Sequence, residues 1–205
     1  MNYAKQVREY CEQHNNSLID ISIVRDSVFQ DIPYKTLLKI FNRLEEEGMV
    51  HTISKGMYVV GNKSDNNKDM HYTGSGRGMI VVYGLFNSIG LTVYKGDKVE
   101  IYTNAITSKQ KTIGSFLLKR VDLEFTDEII ELVSLLEILN VGFSMQGADF
   151  LSYKRTTELL VQTYSDDNFR KVIKAIRYMY STVLKLSELL ERLNIKNSCL
   201  KIYQC

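Results

Sequence analysis

The 205-residue sequence predicts an α+β protein in two parts, and three observations indicate this. Residues Ile19 to Val60 have the pattern of a helix, a turn, a longer helix and a tight hairpin. The stretch Gly61 to Asp69 contains no apolar side chain, which predicts an exposed linker. Beyond it, Lys98 to Asn104 alternates with strand period and the last third is helical, which predicts a small antiparallel sheet and a C-terminal helical bundle. We therefore expect domains at residues 1–61 and 70–205, joined by a linker at 62–69.

Two helices are predicted in the first part, after an amphipathic N-terminal helix that contains Cys11. The apolar stripe of the shorter one, which runs to about Gln30, consists of Ile21, Val24, Val28 and Phe29. The longer helix begins at Asp31, a candidate N-cap, with Pro33 in its first turn, and it ends before Gly48. Its inward stripe consists of Leu37, Ile40, Phe41 and Leu44.

The outward face of the longer helix carries side chains of the kinds that bind phosphates and read bases. These are Lys35, Thr36, Lys39, Asn42 and Arg43. Arg pairs with guanine and Asn with adenine, while Lys, Arg and Thr bind phosphate. Two short strands, Met49 to Ile53 and Met57 to Val60, then flank a turn whose Lys55 is placed to contact backbone phosphate. This is the order of elements in a winged helix-turn-helix, which places one helix in the major groove of DNA.

The charge balance restricts how such a domain would bind. The chain has a net charge of +2, and residues 1–61 hold seven Lys/Arg against eight Asp/Glu. General affinity for nucleic acid is therefore not implied, and any DNA contact depends on local arrangement. The basic residues lie in the first three turns of the longer helix and at the wing tip, whereas Glu45 to Glu47 end the helix. Two alternatives stay open: the face is only solvated, or the winged helix docks a protein.

The second part is predicted to begin with a buried helix and to end with helices only. A dense apolar run predicts a helix over Met79 to Leu91, closed by Gly90. Two strands follow the one at Lys98, over Lys111 to Ser115 and Leu117 to Phe125. Thr126 is predicted to cap a helix that ends at Gly142. The remaining predicted helices are Ala148 to Tyr164, Ser165 to Tyr178 with Ser165 as its cap, and Tyr180 to Leu193.

Composition indicates an ordinary soluble protein, with 44% apolar and 24% charged residues. Three widely spaced cysteines, Cys11, Cys199 and Cys205, form no Cys-x-x-Cys pair. Together with an N-terminus that has no apolar signal segment, they predict reduced thiols in the cytoplasm. The longest apolar run, Met79 to Phe86, is too short to cross a bilayer. Secretion and membrane insertion are therefore not expected.

Candidate motifs for chemistry are weak. The segment Gly74-Ser75-Gly76-Arg77-Gly78 has glycines that would let backbone approach phosphate, and we expect it to lead into a helix. A preceding strand and a Gly-Lys-Ser/Thr ending are both missing, so a flexible entry to that helix is the better interpretation. The three histidines, His14, His51 and His71, have no partners at metal or triad spacing. We expect no enzyme activity, no cofactor and no metal.

A basic stripe is predicted on the penultimate long helix, formed by Arg170, Lys171, Lys174 and Arg177. It lies opposite Phe169, Val172, Ile173 and Ile176. Stripes of this kind are usually solvated helix faces. A second nucleic-acid contact or a docking site for an acidic partner are the alternatives, and the sequence does not separate them.

The stretch Gly78 to Asn104, following the winged helix, resembles the AbiEi-type antitoxin family of bacterial type IV toxin-antitoxin and abortive infection systems, which act in phage defence. The residues that carry the resemblance are Tyr83-Gly84-Leu85, Asn87, Gly90-Leu91-Thr92 and Val99 to Asn104. The chain departs from the family pattern at Val93-Tyr94 and at Tyr178-Met179-Tyr180.

The resemblance implies a cytoplasmic protein with two roles. Its N-terminal domain would bind inverted repeats in its own promoter and repress the operon. Its C-terminal domain would counteract a nucleotidyltransferase-like toxin without forming a stable complex with it. A generic winged-helix regulator, or a docking module without an antitoxin role, is the alternative.

Overall fold

The computed structural model of the chain describes residues 3–15, 17–54, 56–61, 70–94, 96–142 and 149–204. The protein is of mixed α+β type, as predicted. The predicted linker at 62–69 lies outside the described residues, and the division into two domains stays a prediction. The first part contains, in chain order, α1 (Tyr3–Gln13), β1 (Leu18–Asp20), α2 (Ile21–Ser27), α3 (Tyr34–Glu46), β2 (Val50–Ser54) and β3 (Met57–Val60).

The second part begins with short elements and continues with longer helices. Its first elements are α4 (Met70–Thr73), a 3-10 turn (Gly74–Gly76), β4 (Gly78–Val81), α5 (Val82–Ser88), β5 (Val99–Thr103), β6 (Gln110–Ile113) and β7 (Phe116–Arg120). The helices that follow are α6 (Asp127–Val141), α7 (Phe150–Leu160), which a 3-10 turn (Val161–Thr163) extends, α8 (Asp166–Ala175), α9 (Tyr180–Arg192) and α10 (Cys199–Gln204).

The first sheet is antiparallel with the order β1-β3-β2. The predicted hairpin is present as β2 and β3. Sequence analysis did not predict β1, whose three residues are too few to display a period. Its last residue, Asp20, accepts a hydrogen bond from the backbone N–H of Ser22 at 2.9 Å and so caps α2.

The start of α3 differs from the prediction. Asp31 is not its N-cap: Pro33 occupies that position, no side chain caps the helix, and the helix begins at Tyr34. A turn in which the N–H of Ile32 donates to the carbonyl of Phe29, at 2.9 Å, buries Ile32 and leaves Asp31 exposed ahead of the helix. The turn thus ends with Ile32 buried in the core, and α3 begins two residues later at Tyr34.

The second sheet is mixed, not antiparallel as predicted. Its order is β4-β5-β7-β6, and β5 pairs with β7 in parallel. After β5 the chain forms the edge strand β6 and then returns as β7, which lies between β5 and β6. Leu118 of β7 is fully buried, whereas Gln110 and Thr112 of β6 are exposed. The polar strand β6 therefore lies at the edge of the sheet, where one row of its backbone groups and the side chains of Gln110 and Thr112 are open to water, and the strand with the buried leucine lies between two neighbours.

The prediction of a helix from Met79 is wrong for residues 79–81, which belong to β4 (Gly78–Val81). A β-carbon at Gly78 would overlap the carbonyl oxygens of Tyr102 and Tyr72. Only glycine permits this close approach of β4 to β5. A short apolar run fits a buried strand as well as a helix, so periodicity alone did not separate them. The helix begins at Val82, whose φ of 55° makes the corner between strand and helix.

The helices of the second part pack around α6, most of which is buried. Its predicted cap is confirmed, since the Thr126 hydroxyl accepts from the N–H of Ile129, and Gly142 ends the helix. Ser165 likewise caps α8 through the N–H of Asn168 at 3.2 Å. The helix α10 was not predicted. None of the helices among the described residues has the length and apolar character that a bilayer crossing requires.

The strand β3 takes part in two apolar cores. Tyr58 and Val60 face α1, α2 and α3, whose buried residues include Leu37 and Phe41. Met57 and Val59 face the second sheet and pack with residues of a separate cluster, namely Tyr72, Ile101, Ile106 and Leu118. Because side chains alternate along a strand, one strand supplies both cores and connects the first part to the second.

Candidate nucleic-acid interface

The helix α3 divides into a buried and a solvent face, as the sequence predicted. The buried side chains are those of Leu37, Ile40, Phe41 and Leu44. The predicted contact residues Lys35, Lys39, Asn42 and Arg43 are exposed, and Thr36 is half-buried. No carboxylate among the described residues lies within 4.0 Å of the Lys35, Lys39 or Arg43 cation. The three charges are therefore available to a ligand.

Helical geometry adds one acidic residue to this face. At about 100° per residue, Glu46 lies in the same sector of α3 as Lys35, Lys39 and Asn42. Its side chain is exposed, and it is the last residue of the helix. Its carboxylate would repel a phosphate backbone that lies along this face.

The other two acids at the end of α3 contact the protein instead of pointing outward. The Glu45 carboxylate accepts hydrogen bonds from the N–H and the hydroxyl of Thr52 on β2, both at 2.8 Å. Glu47 forms an ion pair with Arg8 on α1. Two of the three consecutive glutamates, Glu45 to Glu47, thus connect α3 to β2 and to α1.

Asn42 is held by a side chain that the sequence did not single out. The Tyr58 hydroxyl on β3 donates a hydrogen bond to Asn42 Oδ1 at 3.1 Å. Burial raises the pKa of Tyr58 above its ordinary value of 10.0, so the hydroxyl keeps its proton near neutral pH. The Asn42 amide group is therefore oriented from beneath, with its side chain exposed above.

Lys55, the predicted contact at the wing tip, lies outside the described residues. Gly56, which follows it, has a φ of 77°, a conformation that favours glycine and makes the tight turn between β2 and β3. The backbone carbonyl of Gly56 accepts from the N–H of Ile21 at 2.9 Å. The base of the turn is thus fixed to the start of α2.

The predicted basic stripe of α8 is divided by the structure. Arg170, Lys174 and Arg177 line one groove, and Lys201 of α10 joins them. Lys171 does not line it and lies on another side of α8. The pKa of Glu128 is lowered first by a hydrogen bond from its own backbone, then by the Thr126 hydroxyl, and to a smaller extent by the Lys171 charge. The prediction that Ile173 lies opposite the basic residues is wrong. Ile173 lines the same groove as Arg170, Lys174 and Arg177. Lys201 was missed because it follows Arg177 by 24 positions on a helix that the sequence did not predict.

The glycine-rich segment does not form the predicted helix entry. Gly74–Gly76 forms a 3-10 turn, and Gly78 begins the strand β4. The glycine at position 78 is explained by the contact between β4 and β5. The less favoured alternative, an anion site at a helix N-terminus, therefore has no helix directly after the glycines to form it.

Two further groups of titratable residues belong to the interior. Glu137 of α6 is buried and accepts from the hydroxyls of Tyr102 and Tyr178, at 3.2 and 3.0 Å. Burial raises its pKa. Cys11 is buried in the first core, as predicted, and burial raises its pKa to about 11. Cys205 lies outside the described residues. Within the described part of the chain, no group of three His, Cys, Asp or Glu residues is arranged to hold a metal ion.

Comparisons with known proteins found little. No family model and no curated protein sequence matches the chain. Among solved structures, the chain is similar to the crystal structure of the RV2827C protein from Mycobacterium tuberculosis, with 11% sequence identity and a TM-score of 0.39. The match covers 100% of this chain and 81% of that one. This similarity is too weak to support an inference about fold or function.

Proposed function

We propose that the protein is a DNA-binding repressor of its own operon and the antitoxin of a type IV toxin-antitoxin system in the cytoplasm. Residues 1–61 act as a winged helix-turn-helix in which α3 enters the major groove. Lys35, Thr36, Lys39, Asn42 and Arg43 form its reading face, and Lys55 at the wing tip contacts phosphate.

One observation carries the DNA-binding proposal. Among the described residues, no carboxylate pairs with the three cations on the outward face of α3, while Glu45 contacts Thr52 and Glu47 contacts Arg8. Of the three glutamates at the end of α3, only Glu46 stays on the outward face. Available cations of this kind are what binds a phosphate backbone.

The order of elements supports the same proposal. The chain runs α1, β1, α2, α3, β2 and β3, with a three-stranded sheet completed by the hairpin. This is the order in which a winged helix places its recognition helix between a shorter helix and a wing. The face is small, and single modules bind weakly, so two copies on inverted repeats would be required for a specific operator.

The antitoxin role is supported by the resemblance of Gly78 to Asn104 to the AbiEi-type family. In this proposal the second part counteracts a nucleotidyltransferase-like toxin encoded next to it, without a stable complex. The protein itself performs no catalysis, and it requires no cofactor.

A mobility-shift assay with DNA from upstream of the gene tests the DNA-binding part. Arg43→Ala should weaken specific binding by about 1–3 kcal/mol, because an arginine that reads a base contributes that much. The matched control is Arg155→Ala on α7, which also removes an exposed arginine. The control should bind as the wild type does. Equal binding by the Arg43→Ala protein would exclude α3 as the reading element.

A growth assay tests the antitoxin part separately. Co-expression with the neighbouring nucleotidyltransferase-like protein should restore growth, and the Arg43→Ala protein should restore it equally, since α3 acts only on DNA. Failure of the wild type to restore growth would exclude the antitoxin role and leave a winged-helix regulator.

A further inference from the structure

A groove between α8 and α10 combines a basic rim with an apolar floor. Its volume is about 700 Å³. The rim consists of Arg170, Lys174 and Arg177 from α8 and the loop after it, and of Lys201 from α10. All four side chains are exposed. The groove lies in the second part of the chain and uses no residue of α3.

The rim carries an excess of positive charge. Arg170 forms an ion pair with Asp167 at 2.9 Å, and that pair is open to solvent. Lys174, Arg177 and Lys201 have no carboxylate within 4.0 Å in the part of the chain that the structure describes. Three like charges converge on one groove without compensation, which favours an anionic occupant.

The floor is aliphatic with one aromatic ring. Ile173 and Ile202 are half-buried and face the groove, together with the ring of Tyr203. The Tyr203 hydroxyl donates to the carbonyl of Tyr178 at 2.6 Å, which fixes the ring in place. Its centroid lies 6.1 Å from that of the exposed Tyr180, so apolar surface continues beyond the groove.

We propose that this groove docks an acidic amphipathic helix of a partner protein. The apolar side of such a helix would lie on Ile173, Ile202 and Tyr203, and its carboxylates would pair with Lys174, Arg177 and Lys201. Recognition of a helix in a groove uses this division between an apolar floor and a charged rim. Charge complementarity sets the orientation of the helix and its rate of association.

The floor argues for a protein helix over a nucleic acid. Sites for single-stranded nucleic acid combine cations with aromatic rings on which bases stack. Here the floor is formed mainly by two isoleucines, which offer no stacking surface.

A fluorescence anisotropy titration of the full chain tests the proposal with three labelled probes. The first is a peptide about four helical turns long, with leucines at helical spacing and glutamates elsewhere. The second has the same composition with its leucines scattered, and the third is a single-stranded oligonucleotide of equal charge. We expect the first probe to bind about tenfold tighter than either of the others.

Variants of the rim locate the binding. The double variant Lys174→Gln/Lys201→Gln should bind the first peptide about tenfold more weakly, since two ion pairs are lost. Lys171→Gln removes one charge from another side of α8 and should bind as the wild type does. Equal binding of both peptides, tighter binding of the oligonucleotide, or equal loss with Lys171→Gln would each overturn the proposal.

Discussion

The Tyr58 hydroxyl on β3 donates a hydrogen bond to Asn42 Oδ1 on α3, 16 positions earlier in the chain. The strand β3 and the outward face of α3 are thereby joined through one polar contact. The Tyr58 ring also packs against Phe41, with centroids 4.9 Å apart, so its position is set by the first core. An amide oriented in this way loses less freedom when it binds a base.

Removing the Tyr58 hydroxyl should weaken specific DNA binding through Asn42. We expect Tyr58→Phe to cost about 0.5–1.5 kcal/mol of binding, the usual contribution of one hydrogen bond. Binding is measured by mobility shift, with thermal melting to confirm that the variant is folded. In an Asn42→Ala background the same substitution should cost nothing, since the oriented group is gone. A full loss in both backgrounds would mean that Tyr58 acts through stability and not through Asn42.

Removing the negative charge of Glu46 should strengthen DNA binding. Glu46→Gln takes one carboxylate from the outward face of α3. If this face binds DNA as proposed, we expect an increase in affinity of about two- to fivefold at low salt. The matched control is Glu188→Gln on α9, an exposed carboxylate far along the chain. Both are compared with the wild type on the same operator DNA. A Glu46→Gln protein with unchanged affinity would place the DNA away from the end of α3.

Truncating Met57 should destabilise the whole chain. Met57 is fully buried among residues of the second sheet, so Met57→Ala leaves a cavity and should lower the free energy of unfolding by about 2–5 kcal/mol. Urea unfolding followed by circular dichroism measures this, and one cooperative transition is expected. Val28→Ala, at a side chain that is 49% exposed, is the control and should change stability little. Two separate transitions in the wild type would show that the shared strand does not couple the cores.

Replacing Glu137 should change how stability depends on pH. Burial raises the pKa of Glu137 above its ordinary value of 4.5, so the folded chain holds this proton more tightly than the unfolded chain does. Its stabilising contribution is present below pH 4.5 and is lost as the pH rises through the raised pKa. In the Glu137→Gln protein this side chain is an amide, which stays uncharged at every pH in this range.

The stability of Glu137→Gln relative to the wild type should therefore increase as the pH rises from 4.5 towards neutrality. Urea midpoints measured across this range test it. Glu188→Gln serves again as the exposed control and should give a flat difference. A flat or falling difference for Glu137→Gln would contradict the role given to burial.

Local patterns in the sequence predicted most helices but not the sheet order. The stripe of α3 and the caps at Thr126 and Ser165 depend on neighbouring residues, so sequence alone identified them. The parallel pairing of β5 with β7 arises because β7 lies between two strands and β6 lies at the edge. Which of the two takes the inner position is decided only when the core assembles. The strand β4 was mistaken for helix because its three apolar residues, Met79 to Val81, are too few to distinguish the two periods.

The candidate sites divide in the same way. The outward residues of α3 were predicted because helical spacing places them on one face. The contacts of Glu45, Glu47 and Tyr58 join residues on different elements, 7, 39 and 16 positions apart, and no spacing rule predicts them. Lys201 enters the groove of α8 through the packing of α10, a helix of six residues that gives too weak a periodic signal.

The double use of β3 has a consequence during synthesis. Met57 and Val59 emerge from the ribosome well before Ile101 and Leu118, the residues that cover them. The nascent N-terminal part therefore carries an uncovered apolar sheet face for the time needed to translate roughly sixty more residues, a few seconds at about 5–20 residues per second. A chaperone that holds exposed apolar strands would have a target in this protein at that stage, and a stop codon soon after Gly61 would leave that target permanently open.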